Sequence, residues 1–202
     1  MINLSYGNVH GKFDDYEVIQ NYIMEAVEKI EFVNYSMPGG SQELRKLFQQ
    51  KFFQGTVYDS SNFCTSVSTN LSFFILFNYI LTNNKIGVFT PIYSNFLSQI
   101  KLGASHEVVR YKYDDFINEG SDYQALSASD VCIIVIPNNP TGQIPTMESL
   151  EKNLQKFYNK KITCIIDVSW LYSIYSNVKK VNLNKIIRLA LKYDAILLLG
   201  FT

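Results

Sequence analysis

Apolar residues along the chain fall into two alternating kinds of run. In the first kind they recur at steps of three and four, the spacing of one helical face. Val18, Ile19, Tyr22, Ile23, Ala26 and Ile30 follow this spacing and predict a helix over 16–30, with Asp14 or Asp15 as its cap. Similar reasoning predicts helices over 41–53 with Ser41 as cap, over 68–81, and over 93–102 ending at Gly103. Two more are expected over 146–158, capped by Thr146, and over 183–193. In the second kind, short apolar stretches stand together with little polar interruption. These predict strands over 62–67, 85–90, 106–111, 130–136, 161–167 and 195–200. Strands apolar on both faces, taking turns with helices, imply a three-layer α/β domain with a mostly parallel (mixed) sheet between helices. Residues 37–40, MPGG, read as a turn. Segments 112–129 and 171–182 are polar and show no clear period.

Composition narrows the class. With 202 residues and 47% apolar content, the chain can bury a sizeable core without disulfides. Lys plus Arg and Asp plus Glu are 18 each, so bulk charge gives no attraction for nucleic acid. The three cysteines, Cys64, Cys132 and Cys164, lie in runs expected to be buried strands and lack CxxC spacing. They read as small apolar fillers in a reducing compartment. The opening residues are polar and acidic where a secretory leader would be basic and then apolar. No apolar run reaches the roughly 18 residues of a membrane span. The expectation is a cytoplasmic protein with no membrane, nucleic-acid or metal partner.

In an open parallel sheet, ligands bind beyond the carboxyl ends of the strands. At those ends stand VSTN (67–70), TPIY (90–93), PNNPTG (137–142), Asp167 followed by VSW, and GFT (200–202). Each has two readings. Ser68 either caps its helix or faces a phosphate at the helix start. Tyr93 is either a core aromatic or a stacking platform. Asn139 sits where turn formation alone would suit it. Asp167 is either a cap or ion-pair partner, or a buried carboxylate in need of a cation. No G-x-G-x-x-G follows any predicted strand, which argues against a nicotinamide-binding domain.

Taken in order, these residues resemble the fold-type I pyridoxal-phosphate enzymes, specifically the class I/II aminotransferases. The N-P-T-G of that family reads Asn139-Pro140-Thr141-Gly142 here. Its D-x-A-Y reads Asp167-Val168-Ser169-Trp170, and its S-x-S reads Gly200-Phe201-Thr202. Tyr35, Gly40, Leu44 and Arg45 resemble its Y…G-x-x-x-L-R, and Pro91-Ile92-Tyr93 its P-x-Y. The resemblance covers nearly the whole chain. It implies an aspartate-aminotransferase-like large domain over 41–202, with 1–40 as an N-terminal arm and part of a small domain.

The resemblance also implies pyridoxal 5'-phosphate as cofactor and a set of roles. Asp167 would pair with the pyridinium nitrogen and make the ring an electron sink. Asn139 would hydrogen-bond the phenolic oxygen, Tyr93 would stack on the ring, and Ser68 and Thr69 would bind the phosphate. Tyr35 would serve the phosphate of a neighbouring subunit in a homodimer. The substrates would be an amino acid and a 2-oxo acid.

Departures accompany the match. Val67 stands where glycine is usual, and Trp170 where a tyrosine usually donates to the phenolic oxygen. Tyr6-Gly7-Asn8-Val9 lacks a proline that many members carry. The Schiff-base lysine is expected just after Thr202, and the remaining small domain beyond it. Val67 and Trp170 keep open a decarboxylase, lyase or oxidase of an amino acid. The lysine's absence from this stretch keeps open a degenerate, non-catalytic binding domain.

Overall fold

The unbroken apolar runs in the second half of the chain become a parallel sheet. The computed structural model describes residues 16–29, 39–54, 56, 58–82, 84–102, 106–118, 128–170 and 182–200. Among these, β1 (Lys85–Thr90), β2 (Glu107–Lys112), β3 (Val131–Val135), β4 (Thr163–Asp167) and β5 (Ile196–Leu198) form one sheet in the order β2-β1-β3-β4-β5. Every pairing is parallel. The order reverses direction at β1, so a crevice opens between the carboxyl ends of β1 and β3.

Helices lie on both faces: α3 (Thr69–Ile75) and α4 (Ser94–Ile100) on one, α5 (Tyr113–Asn118), α6 (Met147–Asn159) and α7 (Leu183–Lys192) on the other. The two-residue period of a strand sorts the core. Val131, Ile133 and Val135 pack with Phe73, Phe96 and Ile100, while Cys132, Ile134 and Ile136 pack with Phe116, Leu154 and Leu189. Each such fully buried aliphatic side chain stabilises the fold by about 1.5–3 kcal/mol. Gly87 lets β1 pass at close range: a Cβ there would come within 2.8 Å of Cys132 Sγ and 2.9 Å of Tyr111 Cε2.

Local chemistry sets the helix ends. Ser41, Ser68, Thr146 and Asn182 cap α2 (Gln42–Phe52), α3, α6 and α7 by accepting from a backbone N–H three residues on. The helix expected over 68–81 is in two parts, α3 and then a π-helical turn over Leu76–Ile80. His106 ties that turn to the entry of β1, with Nε2 2.7 Å from Phe77 O and Nδ1 3.3 Å from Asn84 N. α1 (Tyr16–Lys29) forms as expected but leaves Val18, Ile19, Tyr22 and Ile23 exposed.

Two expectations are corrected. The strand over 62–67 is not formed. Asp59 instead caps a single 3-10 turn, Ser60–Asn62, with Ser61 N–H donating to its carboxylate at 2.7 Å. Asn62 Oδ1 accepts from Asp59 N–H at 3.0 Å in return. Phe63 then turns edge-on to Phe53, ring centroids 4.5 Å apart, and Thr65 N–H donates to Gly39 O at 2.9 Å. The segment does not join the sheet, and Cys64, expected to be buried, is exposed. Cys132 and Cys164 are buried side by side in β3 and β4, as expected; burial pushes the Cys132 thiol up to about 12.

The second correction is α5, in a segment expected to be irregular. Its buried Tyr113 and Phe116 anchor it. Its last carbonyls are met by α6: Asn153 Nδ2 donates to Phe116 O at 2.8 Å, and Ser149 Oγ reaches Phe116 O and Ile117 O at 3.1 Å each. The mixed character expected of the sheet has no counterpart among the described strands. The caps expected at Asp14 or Asp15 and the stop at Gly103 lie outside the described residues.

Candidate active site

Three of the expected site segments follow the carboxyl ends of β1, β3 and β4, side by side across the reversal point. β1 leads into Pro91-Ile92-Tyr93, and β3 into Pro137-Asn138-Asn139-Pro140. Asn138 binds the two together. It is 2% exposed, and its Nδ2 donates to Pro91 O at 3.1 Å and to Thr141 Oγ1 at 2.8 Å. Its backbone closes the same turn, with Gly142 N–H on Asn138 O at 2.6 Å and Asn138 N–H on Gln143 O at 2.8 Å. Gly142 sits at φ +70°, a conformation suited to glycine. Asn138 Oδ1 is buried with no hydrogen-bond partner among the described residues.

The neighbouring Asn139 is half-buried beside this clamp. Tyr93 is half-buried too. Its ring meets Phe96 edge-on at 5.6 Å, and its hydroxyl accepts from Asn95 Nδ2 at 2.7 Å. Tyr93 is therefore held at its tip and on one side, at the head of α4.

Asp167 ends β4 and is 4% exposed. Its Oδ1 accepts from Ser169 N–H at 2.9 Å and from the Ser169 hydroxyl. Oδ2 accepts from none of the described residues, and no ion pair among them includes this carboxylate. Burial holds its pKa above the usual carboxylate value, with the two Ser169 bonds pulling the other way. A buried carboxylate of this kind calls for a cation.

The start of α3 reaches the same place. Thr69 Oγ1 lies 2.8 Å from Ser169 Oγ. Ser68 Oγ accepts from Leu71 N–H at 3.1 Å and keeps its own proton for another acceptor. Val67 beside it is 90% exposed, and Trp170 is 37% exposed. Gly200, beyond β5, lies against Ser169 so closely that a Cβ there would stand 2.9 Å from Ser169 Cβ. Tyr35, Phe201 and Thr202 lie outside the described residues.

Thus Thr69 and Asp167 are brought together through Ser169, and Tyr93 and Asn139 follow β1 and β3, on one side of β4 along the sheet edge. Ser169 and Asn138 were not singled out from the sequence. The signal for Ser169 was its place two residues after an aspartate, where a hydroxyl and an N–H meet that carboxylate. Asn138 was hidden by its neighbour, because either asparagine of Asn138-Asn139 suits a turn. Among the described residues no His/Cys/Asp/Glu cluster could hold a metal ion, and no helix is long and apolar enough to cross a membrane.

A reversed-order parallel sheet with helices on both faces and a buried carboxyl group at its crest defines an α/β domain. The profile of the aminotransferase class I and II family matches residues 1–197, and the chain belongs to that family. It is 26% identical over 185 residues to aromatic-amino-acid aminotransferase 2 of Thermococcus litoralis, covering 87% of this chain and 47% of that protein. Its fold is similar to that of YbdL from Escherichia coli, a methionine aminotransferase, with a TM-score of 0.76, 19% identity, and 99% of this chain and 53% of the other covered. Aspartate aminotransferase from Thermus thermophilus gives a TM-score of 0.63 at 21% identity, over 77% of this chain and 42% of the other. L-threonine-O-3-phosphate decarboxylase from Porphyromonas gingivalis gives 0.62 at 18% identity, over 78% and 46%. The chain spans about half the length of these relatives.

Proposed function

We propose that the full-length protein is a pyridoxal-phosphate-dependent enzyme that transfers an amino group from an amino acid to a 2-oxo acid. The observation that carries this is Asp167: a buried carboxylate at the sheet crest with one oxygen uncommitted and no cation beside it among the described residues. A protonated pyridine nitrogen is the charge it lacks. When bound, pyridoxal phosphate supplies a conjugated ring that withdraws electrons from the bonds at a substrate's Cα.

The residues of this chain then have distinct tasks. Asp167 holds the ring nitrogen through Oδ2 and keeps its proton in place. Tyr93, held by Phe96 and Asn95, offers a flat face to the ring. Asn139 and the Trp170 indole N–H are donors for the phenolic oxygen. Ser68 directs its free hydroxyl proton to the phosphate, and Thr69 adds its backbone N–H. Homodimerisation, with Tyr35 reaching the neighbouring subunit's phosphate, and a cytoplasmic location complete this reading. Leu71, Ile75, Tyr79 and Ile80, exposed along α3 and the π-helical turn, support a covered face there.

The test uses the full-length protein, pyridoxal phosphate, and a panel of amino acids and 2-oxo acids. The expected result is cofactor uptake that borohydride makes permanent, and product formation that depends on the 2-oxo acid. Turnover without any 2-oxo acid would assign decarboxylase, lyase or oxidase chemistry instead. No cofactor uptake would leave a non-catalytic binding domain and overturn the proposal.

A further inference from the structure

Ser169 uses both its donors on one oxygen. Its backbone N–H reaches Asp167 Oδ1 at 2.9 Å, and its hydroxyl donates to the same atom. A hydroxyl has a single proton. With that proton on the carboxylate, the 2.8 Å contact to Thr69 Oγ1 must have Thr69 as donor. The line therefore runs one way, from Thr69 to Ser169 to Asp167, and joins residues 100 apart in sequence. Gly200 closes the other side, since its missing Cβ lets that backbone rest on Ser169.

We infer that Ser169 is a positioning residue that acts through Asp167: its hydroxyl, supported by Thr69, fixes the carboxylate with Oδ1 turned to the protein and Oδ2 left for a cationic ring nitrogen. Only the identity of that ligand rests on the function proposed above; the fixed carboxylate is a property of this chain. Two donors on one oxygen favour the charged form and oppose the burial around it. Among the described residues, burial and the two Ser169 donors are what act on the ionisation of Asp167; no charged side chain does. Without the Ser169 hydroxyl, the carboxylate binds a proton more readily and turns more freely. A proton kept by the carboxylate is one less on the ring nitrogen it should charge.

The arrangement also sets the role of Thr69. Its proton is committed to Ser169, so its side chain supports the carboxylate rather than the phosphate. That leaves the Ser68 hydroxyl as the side-chain proton donor in this turn.

The decisive experiment follows the Asp167 carboxyl by carbon-13 resonance in the full-length protein, first free of cofactor, across a pH titration. Ser169→Ala should raise the midpoint. Thr69→Val should raise it by less, and Thr69→Ser, which keeps the hydroxyl, should match the parent protein. Loaded with pyridoxal phosphate, Ser169→Ala should bind the cofactor about tenfold more weakly. Its labelled ring nitrogen should move toward the unprotonated nitrogen-15 position. An unchanged midpoint in Ser169→Ala would overturn the inference, as would Thr69→Ser shifting as far as Thr69→Val. Failure of the proposed function shows separately, as a parent protein that takes up no pyridoxal phosphate while its carboxyl titration still responds to Ser169.

Discussion

Residues 63–67 and 132–136 are both short runs rich in apolar and β-branched side chains, and they end up in opposite environments. Residues 132–136, CIIVI, are buried throughout, with β1 on one side and β4 on the other. Residues 63–67, FCTSV, stay outside the sheet, with Cys64 exposed and Val67 at 90% exposure. Composition separates them in part, since Thr65 and Ser66 are polar where CIIVI is apolar throughout. The competition for the backbone differs too. Asp59 and Asn62 close a turn just upstream of the first run, and Gly39 O, 26 residues away, takes the Thr65 N–H. The second run has only sheet partners to turn to, and both of its faces meet apolar helices. A strand thus requires neighbours on its edges as well as apolar side chains.

The sharpest way to break this comparison is to truncate one side chain in each run. Ile134 is fully buried, so Ile134→Ala should cost roughly 2–5 kcal/mol in urea unfolding of the full-length protein. Cys64→Ser should change stability by no more than about 0.5 kcal/mol, since the thiol is exposed. Equal losses at the two positions would mean that 63–67 belongs to the core after all.

A smaller effect tests what holds the outer segment. Arg45, on α2, donates from Nη1 to Ser60 O at 3.3 Å and to Phe63 O at 3.5 Å. Gln49 adds a bond to Tyr58 O at 3.1 Å. Arg45→Ala should remove about 1–2 kcal/mol of local stability. Limited proteolysis within 58–66 should quicken, while the global unfolding midpoint moves little. If Arg45→Ala instead shifts the global midpoint as far as Ile134→Ala does, the two regions unfold as one.

The same contrast explains which features could be read from residues alone. Hydrophobic spacing placed the five strands, because burial on both faces leaves unbroken apolar runs; the caps Ser41 and Thr146 were read at the right positions, because a cap depends on contacts within a few residues. The 62–67 strand did not form: a capping box takes up Asn62, and the Thr65 N–H goes to Gly39 O instead of a sheet neighbour. α5 was missed because its stability comes from Asn153 and Ser149, over thirty residues away. In the candidate site, the strand-end rule expected Tyr93, Asn139 and Asp167 along one edge of the sheet, and they follow β1, β3 and β4 there. It did not single out Asn138 or Ser169, whose longer-range bonds, to Pro91 and to Thr69, no local pattern encodes.

The smallest effect concerns the charge at the crest. Burial raises the folded-state pKa of Asp167 above the 3.8 expected for an exposed aspartate. A raised carboxyl pKa means that the folded form binds the proton more tightly than the unfolded chain does. Native stability therefore improves as pH falls through the raised value toward 3.8, and the carboxylate is a burden above that window. Asp167→Asn keeps an oxygen for the Ser169 donors and removes the charge. In the cofactor-free protein at neutral pH it should raise the melting temperature by about 2 °C. That advantage should disappear as pH approaches 3.8. With pyridoxal phosphate added the order should reverse, because the parent carboxylate gains the cation it was missing and the variant does not. A variant less stable than the parent without cofactor would show that Asp167 already has a cationic partner within the protein.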